Sequence, residues 1–279
     1  MQYSHILSYI GGKFNIADWI VPHFPKHICY VEPFGGAAHV LLRKRASEIE
    51  VYNDISQDLV NLFMIAKEMP DKLITETNAL PYSRWLYETW LKDWKAGFKG
   101  RDALDWAVRY FYLANTCFSG KFTAGFQTGL SRDSTHDYYN GCSRIRLFQA
   151  RMKYVLIENI DYFKLIPKYD SPTTLFYCDP PYFNTEDYYE HPFTLADHRK
   201  LAEILNNIQG KACISYYPDP LVDELYEGWQ RYETTKVKQS AGITMHTNVI
   251  KRPVSIELLL TNFNIMKPLE AWNYLGKEA

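Results

Sequence analysis

Cysteine is scarce and scattered in this chain. Cys29, Cys117, Cys142, Cys178 and Cys213 are odd in number and lie apart, with no C-x-x-C pair among the five. That pattern excludes both a disulfide framework and a zinc knuckle. Long apolar runs are missing too: nothing reaches the roughly 18–20 residues that span a bilayer. Met1 to Lys13 lacks the basic-then-apolar order of a signal peptide. An intracellular, cytoplasmic protein with no membrane contact is therefore expected. Surplus charge is absent as well, with 31 Lys and Arg against 32 Asp and Glu. Any basic surface that attracts a polyanion must then be local. With 14 Gly and 14 Pro among 279 residues, collagen-like and low-complexity chains are excluded. Aromatic residues, at 16%, are plentiful. The length suits one large α/β domain, or a catalytic domain carrying a smaller insertion.

Periodicity predicts the organisation. His27 to Val31 reads as a short strand entering the turn Glu32-Pro33-Phe34-Gly35-Gly36, with a helix expected from Ala37 to Glu48. Glu50 to Tyr52 is a second strand, closed by Asn53-Asp54 and followed by helical spacing over Leu59 to Lys67. Later strands are expected at Tyr154–Ile157, Thr174–Cys178, Ala212–Tyr216 and Ser255–Thr261, all in one sheet. Thr194-x-x-Asp197 is a capping-box start for a connecting helix. From about Pro70 to Lys153 the character shifts to tryptophan, tyrosine and arginine. Residues 71–153 hold 13 Lys and Arg against 8 Asp and Glu, so the positive charge concentrates there. We read this stretch as an insertion, its basic character fitting either a binding surface or a solvated helical face.

The stretch that carries chemistry is Asp179-Pro180-Pro181-Tyr182, directly after the apolar run Leu175–Cys178. Two prolines cannot continue a central strand, so the chain must leave the sheet at its carboxyl edge. Ligands bind at that edge in open α/β sheets. An exocyclic amine has two N–H donors, which a carboxylate and a proline carbonyl can accept, while the tyrosine stacks on the ring. Such acceptors favour the pyramidal nitrogen needed to attack a sulfonium methyl, and in-line positioning completes the requirement. No metal is called for. An ordinary strand-ending turn with an exposed aspartate is the duller reading of the same residues.

The motif order resembles that of D12-class (Dam-like, alpha-group) N6-adenine-specific DNA methyltransferases. It runs Tyr9-Ile10-Gly11-Gly12-Lys13, Glu32 to Gly36, Asn53-Asp54, Asn115-Thr116-Cys117-Phe118, Asp161-Tyr162-Phe163, Asp179 to Tyr182, and a late Glu257-Leu258-Leu259 strand. The resemblance implies a Rossmann-like sheet over residues 1–69 and 154–279, with a mainly helical target-recognition domain inserted at 70–153. It implies S-adenosyl-L-methionine as cofactor, S-adenosyl-L-homocysteine as product and a flipped-out adenine in double-stranded DNA as substrate. Asp179, Pro180 and Tyr182 would be catalytic. Tyr9, Lys13, Glu32, Phe34, Gly35 and Asp179 would lie at the cofactor, Asp54 at its ribose, and Asp161 with Tyr162 or Phe163 at its adenine. On the residues alone, Gly11-Gly12 is a turn, Lys13 a solvated cation and Asp54 a helix cap.

Two departures stand out. Ala38 occupies a position where the family commonly has glycine, and the stretch after Phe118 reads Ser119 in place of the usual Asn. His39 reads as a helix-surface or core histidine, not a base. For DNA contact we single out Lys121, Arg132 and Arg144 among the insertion's aromatics Tyr110, Phe111, Tyr112, Phe118, Phe122, Phe126, Tyr138 and Tyr139 and its further arginines Arg146 and Arg151. Trp85, Trp90 and Trp94 read as one packed helical side. The segment Phe183 to Pro192, with Glu186, Asp187, Tyr188 and Tyr189, is either a loop that shields the flipped base or a plain surface connection. A monomer or weak dimer is expected, with a cognate restriction endonuclease as candidate partner. The same fold methylating cytosine N4 or another amine, and a silent module binding DNA or S-adenosylmethionine, remain the alternatives; aspartate opening the catalytic turn favours adenine in the resemblance.

Overall fold

A computed structural model of the chain describes residues 5–9, 11–128, 133–183, 193–237 and 254–265. Within them seven strands form one sheet: β1 (Cys29–Glu32), β2 (Ile49–Asn53), β3 (Leu156–Glu158), β4 (Thr174–Cys178), β5 (Lys211–Tyr216), β6 (Gln230–Val237) and β7 (Val254–Thr261). The order is β3-β2-β1-β4-β5-β7-β6. Neighbours are parallel from β3 through β5, and β7 runs antiparallel between β5 and β6. β1 and β4 are buried along their whole length because helices cover both faces, as parallel strands require. Alternation along these strands sends Tyr30 and Tyr177 into one apolar cluster and Val31 and Phe176 into the other. This is the Rossmann-like sheet that the motif order implies.

The helices are α1 (Ala17–Ile20), α2 (His39–Arg43), α3 (Gln57–Glu68), α4 (Pro70–Asn78), α5 (Arg84–Lys95), α6 (Ala103–Thr116), α7 (Ser134–Met152), α8 (Tyr162–Tyr169), α9 (Leu195–Asn206) and α10 (Pro220–Leu225). α9 begins with the expected capping box, Thr194 and Asp197 bonding each other's backbone N–H. Phe193, just before that cap, packs edge-on against His198 at 4.6 Å, a staple that fixes how the chain enters the helix.

The expected elements need correction in places. The helix after the first turn, α2, is five residues long instead of running to Glu48, because Lys44 turns extended and buries its ammonium on Arg45 O, Ser47 Oγ and Glu50 Oε1. β6 had no counterpart in the sequence reading; it is a sheet edge whose residues are mostly polar. β3 starts two residues late, with Tyr154 85% exposed in the turn before it.

Between β2 and β3 the chain is helical, and α3, which opens this stretch, shares its core with α6 and α7. Phe63 of α3 meets Tyr52 at 4.9 Å and Phe148 of α7 at 4.7 Å. Of the insertion's aromatics, Phe111, Tyr112 and Tyr138 are buried in this core, and Tyr110 lies at its edge. Trp85 is 74% exposed while Trp90 and Trp94 are half-buried, since a five-residue step from Trp85 to Trp90 turns a helix well past its own face. Arg151 is structural too. At the end of α7 it donates twice to Glu50 of β2 (2.5 and 2.8 Å) and once to Leu41 O, and Lys44 reaches the same carboxylate at 2.6 Å.

Candidate active site

At the carboxyl ends of β1, β2, β3 and β4 the chain makes four turns that surround a cavity of about 700 Å³. The turn after β1 is built for close approach. Gly35 backs onto the Tyr52 ring so tightly that a Cβ there would lie 2.1 Å from a ring carbon. Asp54 holds the first turn, its Oδ2 accepting from Gly36 N at 2.8 Å and its Oδ1 from Ser56 N at 2.9 Å. Asn53, 1% exposed, joins three turns by donating to Pro33 O and accepting from Ile160 N. Ala38, where the resemblance implies glycine, adopts the left-handed conformation at φ 57° as the cap of α2.

Glu32, Phe34, Gly35, Asp54, Asp161 and Tyr162 all line this cavity. Its apolar side is a group of rings, with Tyr162 5.4 Å from Phe34 and 5.5 Å from Phe193. Glu32 is buried and accepts from the Tyr30 hydroxyl at 2.6 Å; burial, with the Asp179 charge adding to it, pushes its carboxyl up to about 8. The N-terminal segment supplies Tyr9 and Lys13 to the lining, and Asn115 fastens that segment by bonding Ser8 N and Ile6 O.

The end of β4 delivers Asp179 and Pro181 to the cavity. Asp179, with a side chain 18% exposed, faces the Lys13 ammonium at 2.7 Å, and that ammonium also bonds Gly11 O at 3.0 Å. Pro180 is buried behind the turn. Tyr182 is 7% exposed and stands beside the cavity rather than along its lining. Its ring lies under Lys13, 4.8 Å from the ammonium, and edge-on to Tyr217 at 4.6 Å. Burial, with the Asp179 and Glu257 carboxylates beside it, raises the Tyr182 phenol well above its ordinary value and keeps it a donor. The acceptor is Glu257, at 2.5 Å. The sequence marks Glu257 as part of a strand and carries no local sign of this contact.

The far wall belongs to the helical segment. Leu91, Trp94 and Lys95 of α5, Tyr110 of α6, and Gly120, Lys121 and Phe122 of the turns after it line the same cavity. Lys99 and the Trp106 indole both bond Asp58 of α3, holding this wall against the sheet half. Of the three cations singled out for DNA, Lys121 is thus at the cavity. Arg144 is half-buried on α7 outside its lining, close enough to His5 that burial and then the Arg144 charge push that imidazole down to about 4. Arg132 lies outside the described residues, as do 184–192 with Glu186, Asp187, Tyr188 and Tyr189. His39 also lines the cavity, packed edge-on against His5 at 5.2 Å.

A carboxylate and a lysine at a strand end, glycine turns and a ring-lined slot in one cavity fit group transfer to a nucleic-acid base. Comparison with known families places the chain directly: residues 9–240 match the D12 class N6 adenine-specific DNA methyltransferases, and the chain belongs to that family. It is 26% identical over 258 residues to a DNA adenine methylase of Haemophilus influenzae, covering 86% of this chain and 88% of that one. A DNA adenine methylase of Escherichia coli K12 is 26% identical over 253 residues, 84% and 87% of the two chains. The type II methyltransferase M.CviBI of Paramecium bursaria Chlorella virus NC1A is 24% identical over 240 residues, 83% and 89%. The chain is an adenine-specific DNA methyltransferase by family, which sets aside cytosine N4 as target. Among the described residues no helix is long and apolar enough to cross a membrane.

Proposed function

We propose that this protein transfers a methyl group from S-adenosylmethionine to N6 of an adenine rotated out of duplex DNA into the cavity, within a specific sequence. The observation that carries this reading is the shared cavity: Asp179, Lys13, Asp54, Asp161 and the ring slot face Lys121, Trp94 and Tyr110 of the helical segment across one space of about 700 Å³.

The residues fit the cofactor by their chemistry. Asp54, at the end of β2, suits hydroxyl pairs such as those of a ribose; Phe34, Ile160 and Tyr162 offer flat apolar surface to a purine, with Asp161 at its edge. Lys13, Tyr9, Glu32 and Gly35 surround the remaining space. Bound there, S-adenosylmethionine would supply a methyl group on a positively charged sulfur, with S-adenosylhomocysteine as the product. The protein's part is to present the amine. Asp179 and a proline carbonyl of its turn accept the two N–H bonds, pulling the nitrogen lone pair out of the ring's delocalisation, and Tyr182 packs against the base; as the N–CH3 bond forms and the S–CH3 bond breaks, the nitrogen gives up one of its two protons, by way of Asp179, to solvent. Such preorganised acceptors act at a partly dry site, where they are worth more than in water.

Residues 70–153 serve in this reading as the inserted target-recognition domain, and 1–69 with 154–279 as the catalytic one. Lys121 meets the DNA near the extruded base, where unstacking costs a few kcal/mol and contacts must offset it. The test is incubation with labelled S-adenosylmethionine and unmethylated duplex DNA, followed by nucleoside analysis. Label in N6-methyladenine, lost by about 10²–10³-fold in Asp179→Ala, is expected. Label in another base, or near-normal turnover in the variant, would refute the reading.

A further inference from the structure

Glu257 sits in β7 and is wholly buried. Its neighbours Ile256, Leu258, Leu259 and Leu260 are apolar, so the strand itself has no use for a carboxylate. A charge buried there is costly unless opposite charge and hydrogen bonds compensate it. Oε1 accepts from the Tyr182 hydroxyl at 2.5 Å and lies 3.3 Å from the Lys13 ammonium, while Oε2 has no hydrogen bond among the described residues. Glu257 is thus compensated by two residues that flank Asp179. Lys13 completes the chain by reaching Asp179 Oδ1 at 2.7 Å and standing over the Tyr182 ring.

We propose that Glu257 is a positioning residue for methyl transfer. Through the hydroxyl it fixes the plane of the Tyr182 ring, against which the target base packs. Through Lys13 it shares a cation that would otherwise act on Asp179 alone, so that Asp179 keeps its strength as acceptor for the target amine. The inference rests on the roles of Asp179 and Tyr182 given under the proposed function. A buried aliphatic residue would satisfy the sheet better; the carboxylate is explained by what it holds.

Two variants separate its effects. Glu257→Gln keeps the shape and an acceptor for the tyrosine but removes the charge; Tyr182→Phe keeps the ring and removes the hydroxyl. Both singles and the double are compared with wild type in single-turnover transfer of tritiated methyl to unmethylated bacterial genomic DNA. Affinity for S-adenosylmethionine is measured by titration calorimetry, and melting by scanning calorimetry. Glu257→Gln is expected to slow transfer at least tenfold while cofactor affinity stays within threefold. The double variant should be no more than about threefold slower than the slower single, because the two groups act as a pair. Unchanged transfer in Glu257→Gln, losses that multiply in the double variant, or a slowing matched by an equal loss of folded protein would each overturn the proposal. Should Glu257→Gln fail to fold, Tyr182→Phe decides: slower transfer with intact cofactor affinity supports it, and unimpaired transfer overturns it. A wild type that labels no adenine overturns the functional reading first, and this inference with it.

Discussion

Replacing Glu50 with Gln tests what joins the helical segment to the sheet. Glu50 lies in β2 with a side chain 4% exposed, between Lys44 at 3% and Arg151 at 4%. The carboxylate receives two bonds from Arg151, one from Lys44 and one from Ser47 N. The variant leaves two cations facing each other out of water, and breaking a buried pair in this way costs about 3–5 kcal/mol. Against a total stability of about 5–15 kcal/mol that is a large share. At about 2–4 °C per kcal/mol the melting temperature should fall by roughly 6–20 °C, read by circular dichroism. The pH dependence follows from the same contacts. Burial raises the Glu50 carboxyl, but the bonds from Arg151 and Lys44 outweigh it and bring it below its ordinary 4.5. A carboxylate lowered on folding stabilises above its unfolded value and loses that contribution as pH falls through the folded one. The gap between wild type and variant should therefore narrow once pH drops below 4.5. Replacing all three by apolar residues (Lys44→Met, Glu50→Leu, Arg151→Met) should be far milder than the single change, since no unpaired charge remains. A Glu50→Gln protein melting within about 2 °C of wild type would refute the reasoning.

Ala38→Gly should stabilise by up to about 1.6 kcal/mol in urea titration, because relief of the left-handed strain, about 1–2 kcal/mol, outweighs the added freedom of the unfolded chain, about 0.4–1 kcal/mol; a loss of stability would mean that the methyl is needed for packing. Glu32, raised to about 8, holds a proton in the folded state that the unfolded chain has released, so it subtracts stability as pH climbs from 4.5 toward 8. Glu32→Gln should flatten that decline, and an unchanged slope would place its cause elsewhere. Lys121→Ala should lower the slope of log affinity for duplex DNA against log salt by about 0.9 if its ammonium neutralises one phosphate; an identical slope would put the DNA surface away from Lys121.

The parts of this molecule legible in the sequence were those written in neighbouring residues. β4 was placed to the residue because an apolar run meets two prolines, and the Asp179 turn follows from the same signal. The capping box at Thr194 was legible for the same reason. What escaped depends on partners far along the chain. Nothing near Arg151 announces Glu50, so a basic side chain that looked ready for phosphate proves to be buried structure. Tyr182 and Glu257 meet across the same kind of gap. β6 escaped because an edge strand paired on one side tolerates polar residues on both faces. The early end of α2 was hidden in the conformations of Ala38 and Lys44, which no periodicity records.

The placement of Glu257 bears on how the protein becomes active during synthesis. Lys13 is made early, Asp179 in the second half and Glu257 later still, yet all three meet at one point. β7 pairs with β5 and is the one neighbour of β6, so that side of the sheet cannot form until that strand has left the ribosome. Contacts so distant in sequence form slowly, after the local helices. A nascent chain can hence display the Asp179 turn without the support that Glu257 gives it, and full methylating power would arrive as one of the last acts of folding.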